Sequence, residues 1–276
     1  MSPLNKPSNA SPDTQKTITF VSKAMTWLAN RALPVSGGLS LIILWQFVIW
    51  VFEIRQFIVP SPLDVLAAFA SDWDILWSNF WPTLMEAIVG FFFGNLVAIL
   101  IAIAFVHNRT VEKIYFPTAV FINTIPIVAI APILVLIFGN GYTPKIMIAA
   151  LICFFPTLVN MVRGLQAVSP ASIDLMRILS ASKSEIFWKL RIKSSLPFLF
   201  AALRIASTTC VIGAIVGEWI GSDFGLGALI IDATYNFRAP QLYATVFMSA
   251  GLAVSLFGLT AFAERRIIRW HPGKMH

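Results

Sequence analysis

The chain has 276 residues, of which 58% are hydrophobic and only 12% charged, with a net charge of +7. A soluble domain usually carries about twice that charged fraction, so composition excludes an ordinary water-soluble globule and makes lipid the solvent for much of the surface. The basic residues alternate with long apolar runs, which excludes a nucleic-acid-binding stripe and points to the positive loops of a membrane protein.

Residues 1–35 are polar and show no basic, apolar and small-residue cleavage pattern, so they read as an N-terminal tail ahead of a retained anchor. Crossing a hydrocarbon core of roughly 30 Å takes about 20 apolar residues in a helix. Six stretches approach that length: 37–54, 83–106, 115–138, 145–162, 198–220 and 242–262. Their runs are continuous rather than alternating, which predicts an all-α bundle of about six transmembrane helices instead of a barrel. With both termini placed in the cytoplasm, only Arg55, Lys145 and Arg238 of the 20 basic residues fall on the outer side, and Arg204 falls within a span. The positive-inside rule selects that orientation.

The first outer connection, 55–82, holds Pro60-Ser61-Pro62 and then Trp73, Trp77 and Trp81, an expected interfacial aromatic belt. In span two, Gly90 and Gly94 are four residues apart, and Gly213, Gly217 and Gly221 form a longer row in span five. Such rows suit close helix packing or a backbone surface along a pathway. Pro117, Pro126, Pro132 and Pro156 are expected to bend spans three and four and to place them inside the bundle. Cys153 and Cys210 lie in apolar runs and read as small buried hydrophobes, with no disulfide or metal-ligand spacing.

The long connection 163–197 is the most informative. Ser169-Pro170 supplies an N-cap with proline at the first helical position. An amphipathic run from Ile173 to Leu179 follows, and Ser182 with Glu185 forms a capping box for a second helix that Pro197 is expected to end. This predicts a cytoplasmic helix-turn-helix. Its short helix suits a groove on another protein, or equally the surface of anionic lipid. The last outer connection, 221–241, carries Gly225-Leu226-Gly227. No Lys-Ser/Thr follows, so it is a turn with a short helix and not a phosphate loop.

Glu86, Arg204 and Glu218 lie within spans, where charge needs a partner, water or a boundary. Arg204 is expected to reach the cytoplasmic interface, and the two glutamates to be either interhelical hydrogen-bonding groups or part of an outer mouth. The expected translocation residues are Glu86, Asn123, Glu218 and Trp219. The histidines, His107, His271 and His276, sit in loops or the tail. No catalytic, metal or nucleotide-binding arrangement is visible, so no cofactor is expected in this chain.

Asp174, Leu175 and Met176 stand where the permeases of binding-protein-dependent ABC importers of the type I class carry Glu-Ala-Ala, and Ser180 stands in the following Gly place. Together with Pro60-Ser61-Pro62, the run Ile125 to Pro132, Cys153-Phe154-Phe155-Pro156 and Gly213 to Trp219, these residues resemble the nitrate/taurine/sulfonate permease family. The last two runs, with Gly225-Leu226-Gly227, look most like its branch for thiamine-pyrimidine precursors or riboflavin. The resemblance implies a permease domain over 36–265, with 266–276 a cytoplasmic tail, in a bacterial inner membrane. It implies a homodimer with two cytoplasmic ATPase subunits, which bind ATP and Mg, and a periplasmic or lipid-anchored substrate-binding protein. The implied coupling residues are Ile173, Asp174, Met176, Arg177, Leu179, Ser180, Ala181 and Ser182. A transporter or channel working alone is the competing reading, and a membrane scaffold a third. Trp219, Phe224 and Tyr235 suit a flat heteroaromatic solute, or a membrane interface.

Overall fold

A computed structural model describes residues 36–268; the expectations for both tails, with His271 and His276, lie outside the described residues. Most of these residues are helical, with no strand among them. The described residues divide after Asp64 into two compact units.

In the first unit, α1 (Ser36–Val51) is apolar but shorter than the spans that follow. It closes at Glu53, whose φ of 47° is left-handed. Ile54 N–H then reaches back to Ile49 C=O at 3.2 Å. The Pro60-Ser61-Pro62 run works as a helix start. Ser61 N–H donates to Asp64 Oδ2 at 2.9 Å, and Asp64 N–H donates to Ser61 Oγ at 3.2 Å. These reciprocal bonds open α2 (Pro62–Ser71) and hold the Asp64 carboxyl below its ordinary range, the Ser61 hydroxyl acting most strongly.

The second unit is built on α3 (Trp73–His107), α6 (Tyr142–Gln166), α8 (Lys183–Glu218) and α10 (Ala239–Ile267), each long and apolar enough to cross a membrane. At 35 residues, α3 is about 52 Å long and exceeds a bilayer core. It therefore starts well before residue 83 and takes in the tryptophan belt. Trp73 stacks on Trp77 at 5.6 Å, and Trp81 meets Trp77 edge-on at 5.3 Å.

Predicted span three is broken. α4 (Arg109–Thr124) and α5 (Ile127–Phe138) meet at 94°. Pro126 brings no N–H and pushes the preceding Ile125 into extended geometry, φ −72° and ψ 123°. Pro117, Pro132 and Pro156 remain inside continuous helices. Of the two proline-rich regions only α6 is central. α4 buries no side chain and α5 buries Ala131 and Leu134 alone, which corrects the expected interior place of span three. The four long helices and this bent pair make up to five spans, with α1 as a further apolar helix.

Both glycine pairs press on α6. A Cβ on Gly90 would come within 2.5 Å of Ala149 Cβ, and one on Gly213 within 2.7 Å of Ala149 Cα; one on Gly94 would strike Ala150 C=O. Gly217 would crowd Lys145 at 3.0 Å. Without side chains in the way, α3 and α8 approach the α6 backbone from two directions. Gly221 does not extend the row: its φ of 74° makes it the turn after α8. Across the same seam, Thr157 Oγ1 donates to Asn95 Oδ1 at 2.5 Å, and Cys153 Sγ–H points at Ala206 C=O at 3.4 Å. Cys153 and Cys210 are buried and free, as composition suggested.

Replacing Gly94 with Ala is expected to lower the thermal midpoint in detergent by at least about 2 °C, because the clash is with rigid backbone. Gly258→Ala, with nothing within 4 Å, is expected to leave it unchanged. Scanning fluorimetry on the two purified variants checks the pair.

Candidate functional site

The unit carries two organised regions at opposite ends of the same long helices. At the first, Ser169 Oγ accepts Ser172 N–H at 3.2 Å and starts α7 (Pro170–Ile178). The helix ends in a pair of back-bonds, Ser180 N–H to Arg177 C=O and Ala181 N–H to Met176 C=O, each 2.9 Å. This ending places its next residue in left-handed geometry, and Ser180 has φ 58°. Ser180 thus occupies the backbone state that glycine serves best, in the place where the resembling family carries Gly. Ser182 and Glu185 form the full reciprocal capping box that opens α8.

α8 does not stop at Pro197. It runs unbroken to Glu218, and a π-helical stretch, Ile186–Arg191, takes up one extra residue near its start. Ile192 N–H bonds back to Phe187 C=O there. Phe187 is buried and meets the His107 ring edge-on at 4.7 Å, which ties the helix-turn-helix to the end of α3.

The eight expected coupling residues lie on α7 and on the turn after it, and divide by exposure. Ile173, Met176 and Ala181 are half-buried; Asp174, Arg177, Leu179, Ser180 and Ser182 are exposed. Asp174 and Arg177 pair at 3.2 Å on the open side. Two further residues on that side are Leu175, 58% exposed, and Ile178, 79% exposed. The signal was available: 171, 174, 175, 178 and 179 follow helical spacing, so they form one outward stripe.

At the other end, three ionisable side chains are buried together. Lys145, read from sequence as an outer-side charge, lies inside α6 with 0% exposure. Its ammonium is 3.7 Å from Glu86 Oε1, donates to Ser222 Oγ at 2.6 Å, and sits 3.9 Å over the Phe224 ring. Glu218 Oε1 accepts from Thr83 Oγ1 at 2.6 Å, and its Oε2 accepts Gly227 N–H at 2.6 Å. Thr83 Oγ1 in turn accepts Leu226 N–H at 2.8 Å, and Asn79 Oδ1 accepts Gly225 N–H at 2.8 Å. Among the described residues, the carboxyl oxygens of Glu86 find no hydrogen-bond partner.

This network fastens the turn 221–227 to α3, α6 and α8 at once, and the turn leads into α9 (Leu226–Tyr235). Gly225 is required twice over: its φ is 104°, and a Cβ would strike Glu218 Oε1. A Cβ on Gly227 would sit 2.5 Å from Ile215 C=O.

The expected translocation residues are not brought together. Glu86 and Glu218 share the network, and both are buried. Trp219 is 46% exposed just beyond α8. Asn123 lies on α4 beside the Pro126 break, where it lines a groove of about 240 Å³ with Ile127, Phe154 and Phe155. Arg204 has a partner that sequence did not supply: it pairs with Glu264 of α10. Among the described residues, no group of three or more His, Cys, Asp or Glu is placed to hold a metal ion.

Residues 94–269 match the family model described as binding-protein-dependent transport system inner membrane component. The riboflavin transport system permease protein RibX of Chloroflexus aurantiacus is 32% identical over 240 residues, 86% of this chain and 89% of its own. The formylaminopyrimidine transport permease protein ThiX of Halalkalibacterium halodurans is 32% identical over 236 residues, 84% of this chain and 94% of its own. Among solved structures, an inward-facing MetNI methionine ABC transporter chain matches with a TM-score of 0.58 at 22% identity, over 71% of this chain and 95% of that one. The chain therefore belongs to the binding-protein-dependent transport system inner membrane component family, as an ABC importer permease similar to sulfonate, pyrimidine and riboflavin permeases.

Proposed function

We propose that α7 is the element through which an ATPase subunit moves this permease, and that the Glu218 network holds the opposite, outer end of the bundle. The observation that carries the reading is the stripe of Leu175, Ile178 and Leu179, an apolar edge exposed on a short helix with both ends capped. A short rigid helix with such an edge is built to enter a groove. Phe187, seated against His107 and the core, would pass its displacement to α3 and α8.

In this proposal two copies of the chain form the path, each resting α7 on one ATPase subunit that binds ATP and Mg. A binding protein delivers solute to the side bearing α9, and both termini are cytoplasmic. The membrane-spanning domain is 36–265. Glu86 and Glu218 act by holding the outer turn; Asn123 and Trp219 are the exposed members of the path. Tyr235, 78% exposed, and Trp219 would favour a flat heteroaromatic solute, consistent with the names of the two relatives.

Ile178→Ser with Leu175→Ser, and separately Arg177→Glu, are expected to leave the permease in the membrane and to cut ATP-dependent uptake by at least about tenfold; a docking-edge loss above about 1.4 kcal/mol suffices for that. Normal uptake in both defeats the role given to α7. Ser180→Gly is expected to retain uptake and to stabilise the turn by up to about 1 kcal/mol, whereas Ser180→Val, which resists left-handed geometry, reduces both. Lys145→Met leaves Glu86 buried without a cation, a class of change that costs about 3–5 kcal/mol. Amide exchange at Gly225, Leu226 and Gly227 is expected to accelerate in that variant, and Glu86→Gln added to it should restore part of the protection.

A further inference from the structure

Beside the α7 end lies a cleft of about 730 Å³ between α4 and the start of α8. Arg109 and Lys113, one turn apart on α4, face Arg191 across it. Among the described residues, none of these three cations pairs with an acid; the ion pairs formed involve other side chains. The one acid in the lining, Glu112, has an oxygen taken by Gln166 Nε2 at 2.9 Å. Arg191 is held in place by its bond to Leu165 C=O at 3.3 Å. The α4 N-terminus is already satisfied, since Asn108 Oδ1 accepts Thr110 N–H and Val111 N–H. The attraction for an anion therefore comes from the side chains.

The depth of the cleft is fixed by the helices around it. α3 ends at His107 and α6 at Gln166, so the cations stand where apolar spans give way to the lipid headgroup layer, whichever face of the membrane this is. Val106, Phe116 and Pro117 continue the lining on its apolar side. The volume lies within the roughly 300–1,000 Å³ of organic ligand sites, well above the needs of a water cluster. Three cations over an apolar wall at headgroup depth match a phosphate ester carried on hydrocarbon.

We propose that this cleft binds a phosphate-bearing anion through Arg109, Lys113 and Arg191, with the headgroup of an anionic phospholipid as its source. Arg191 also lines the neighbouring cleft under α7, with Ile173 and Arg177, so an occupant would brace the base of that helix.

The test uses delipidated full-length protein in detergent. It is titrated with phosphatidylglycerol or phosphatidylcholine of identical chains, read by native mass spectrometry, and with inorganic phosphate, read by equilibrium dialysis. Phosphatidylglycerol is expected to bind at least about fivefold better than phosphatidylcholine, and Arg109→Gln with Lys113→Gln should abolish that preference. Lys189→Gln with Lys193→Gln, outside the cleft, should keep it. Glu112→Gln, which raises the local charge by one, should tighten binding about twofold or more. Inorganic phosphate binding that needs Arg109 and Lys113, without a lipid preference, would assign the same site to a soluble phosphate-bearing anion. A lipid preference that survives Arg109→Gln with Lys113→Gln overturns the proposal. So does the absence of both lipid preference and phosphate binding, or an unchanged affinity in Glu112→Gln even if the double variant is unstable.

Discussion

The close approach of α3 and α8 to α6 is the constraint on which the rest of the second unit depends. In lipid, apolar side chains gain little by leaving one apolar medium for another, so helices associate through tight packing and hydrogen bonds. Gly90, Gly94, Gly213 and Gly217 provide that packing against Ala149, Ala150 and Lys145. Once the three backbones are locked together, residues far apart in sequence share one end of the bundle. Thr83, Glu86, Lys145 and Glu218 come from three helices, and the buried network exists only because those helices touch.

That network has a physical cost and a use. A charged side chain in a membrane bundle needs opposite charge and donors around it. Glu218 takes one hydroxyl and one backbone N–H, and Lys145 takes Ser222, the Phe224 ring and the neighbourhood of Glu86. Every one of these satisfactions pulls on the turn 221–227 or fixes a helix beside it. The turn is thereby set relative to α3, α6 and α8, and Gly225 and Gly227 are the residues that let backbone come so near a carboxylate.

The α7 end is arranged on different terms. It owes its shape to local hydrogen bonding: a serine cap, a left-handed serine, then a capping box within a few residues. Few backbone groups of such a unit are left without a partner. Its attachment is a long-range matter, made by Phe187 and by the uninterrupted α8. The far end of that same helix carries Glu218.

Reading residues in order was enough for much of what depends on neighbours in the chain, though not for Pro197, through which α8 runs on. The apolar runs gave the membrane class and the long helices, and Ser169 and Ser182 gave the helix starts, because capping acts within a turn or two; of the four prolines expected to bend spans three and four, only Pro126 breaks a helix. Motif resemblance gave the permease family. Folding in three dimensions decided which charges were paired. Lys145 looks like a boundary residue until α3 and α8 close over it, and Arg204 has no visible partner until α10 brings Glu264 alongside. The same holds for the faces of α7 and the peripheral position of α4. Packing partners lie a hundred or more residues apart, and no local periodicity records which helix will cover which face.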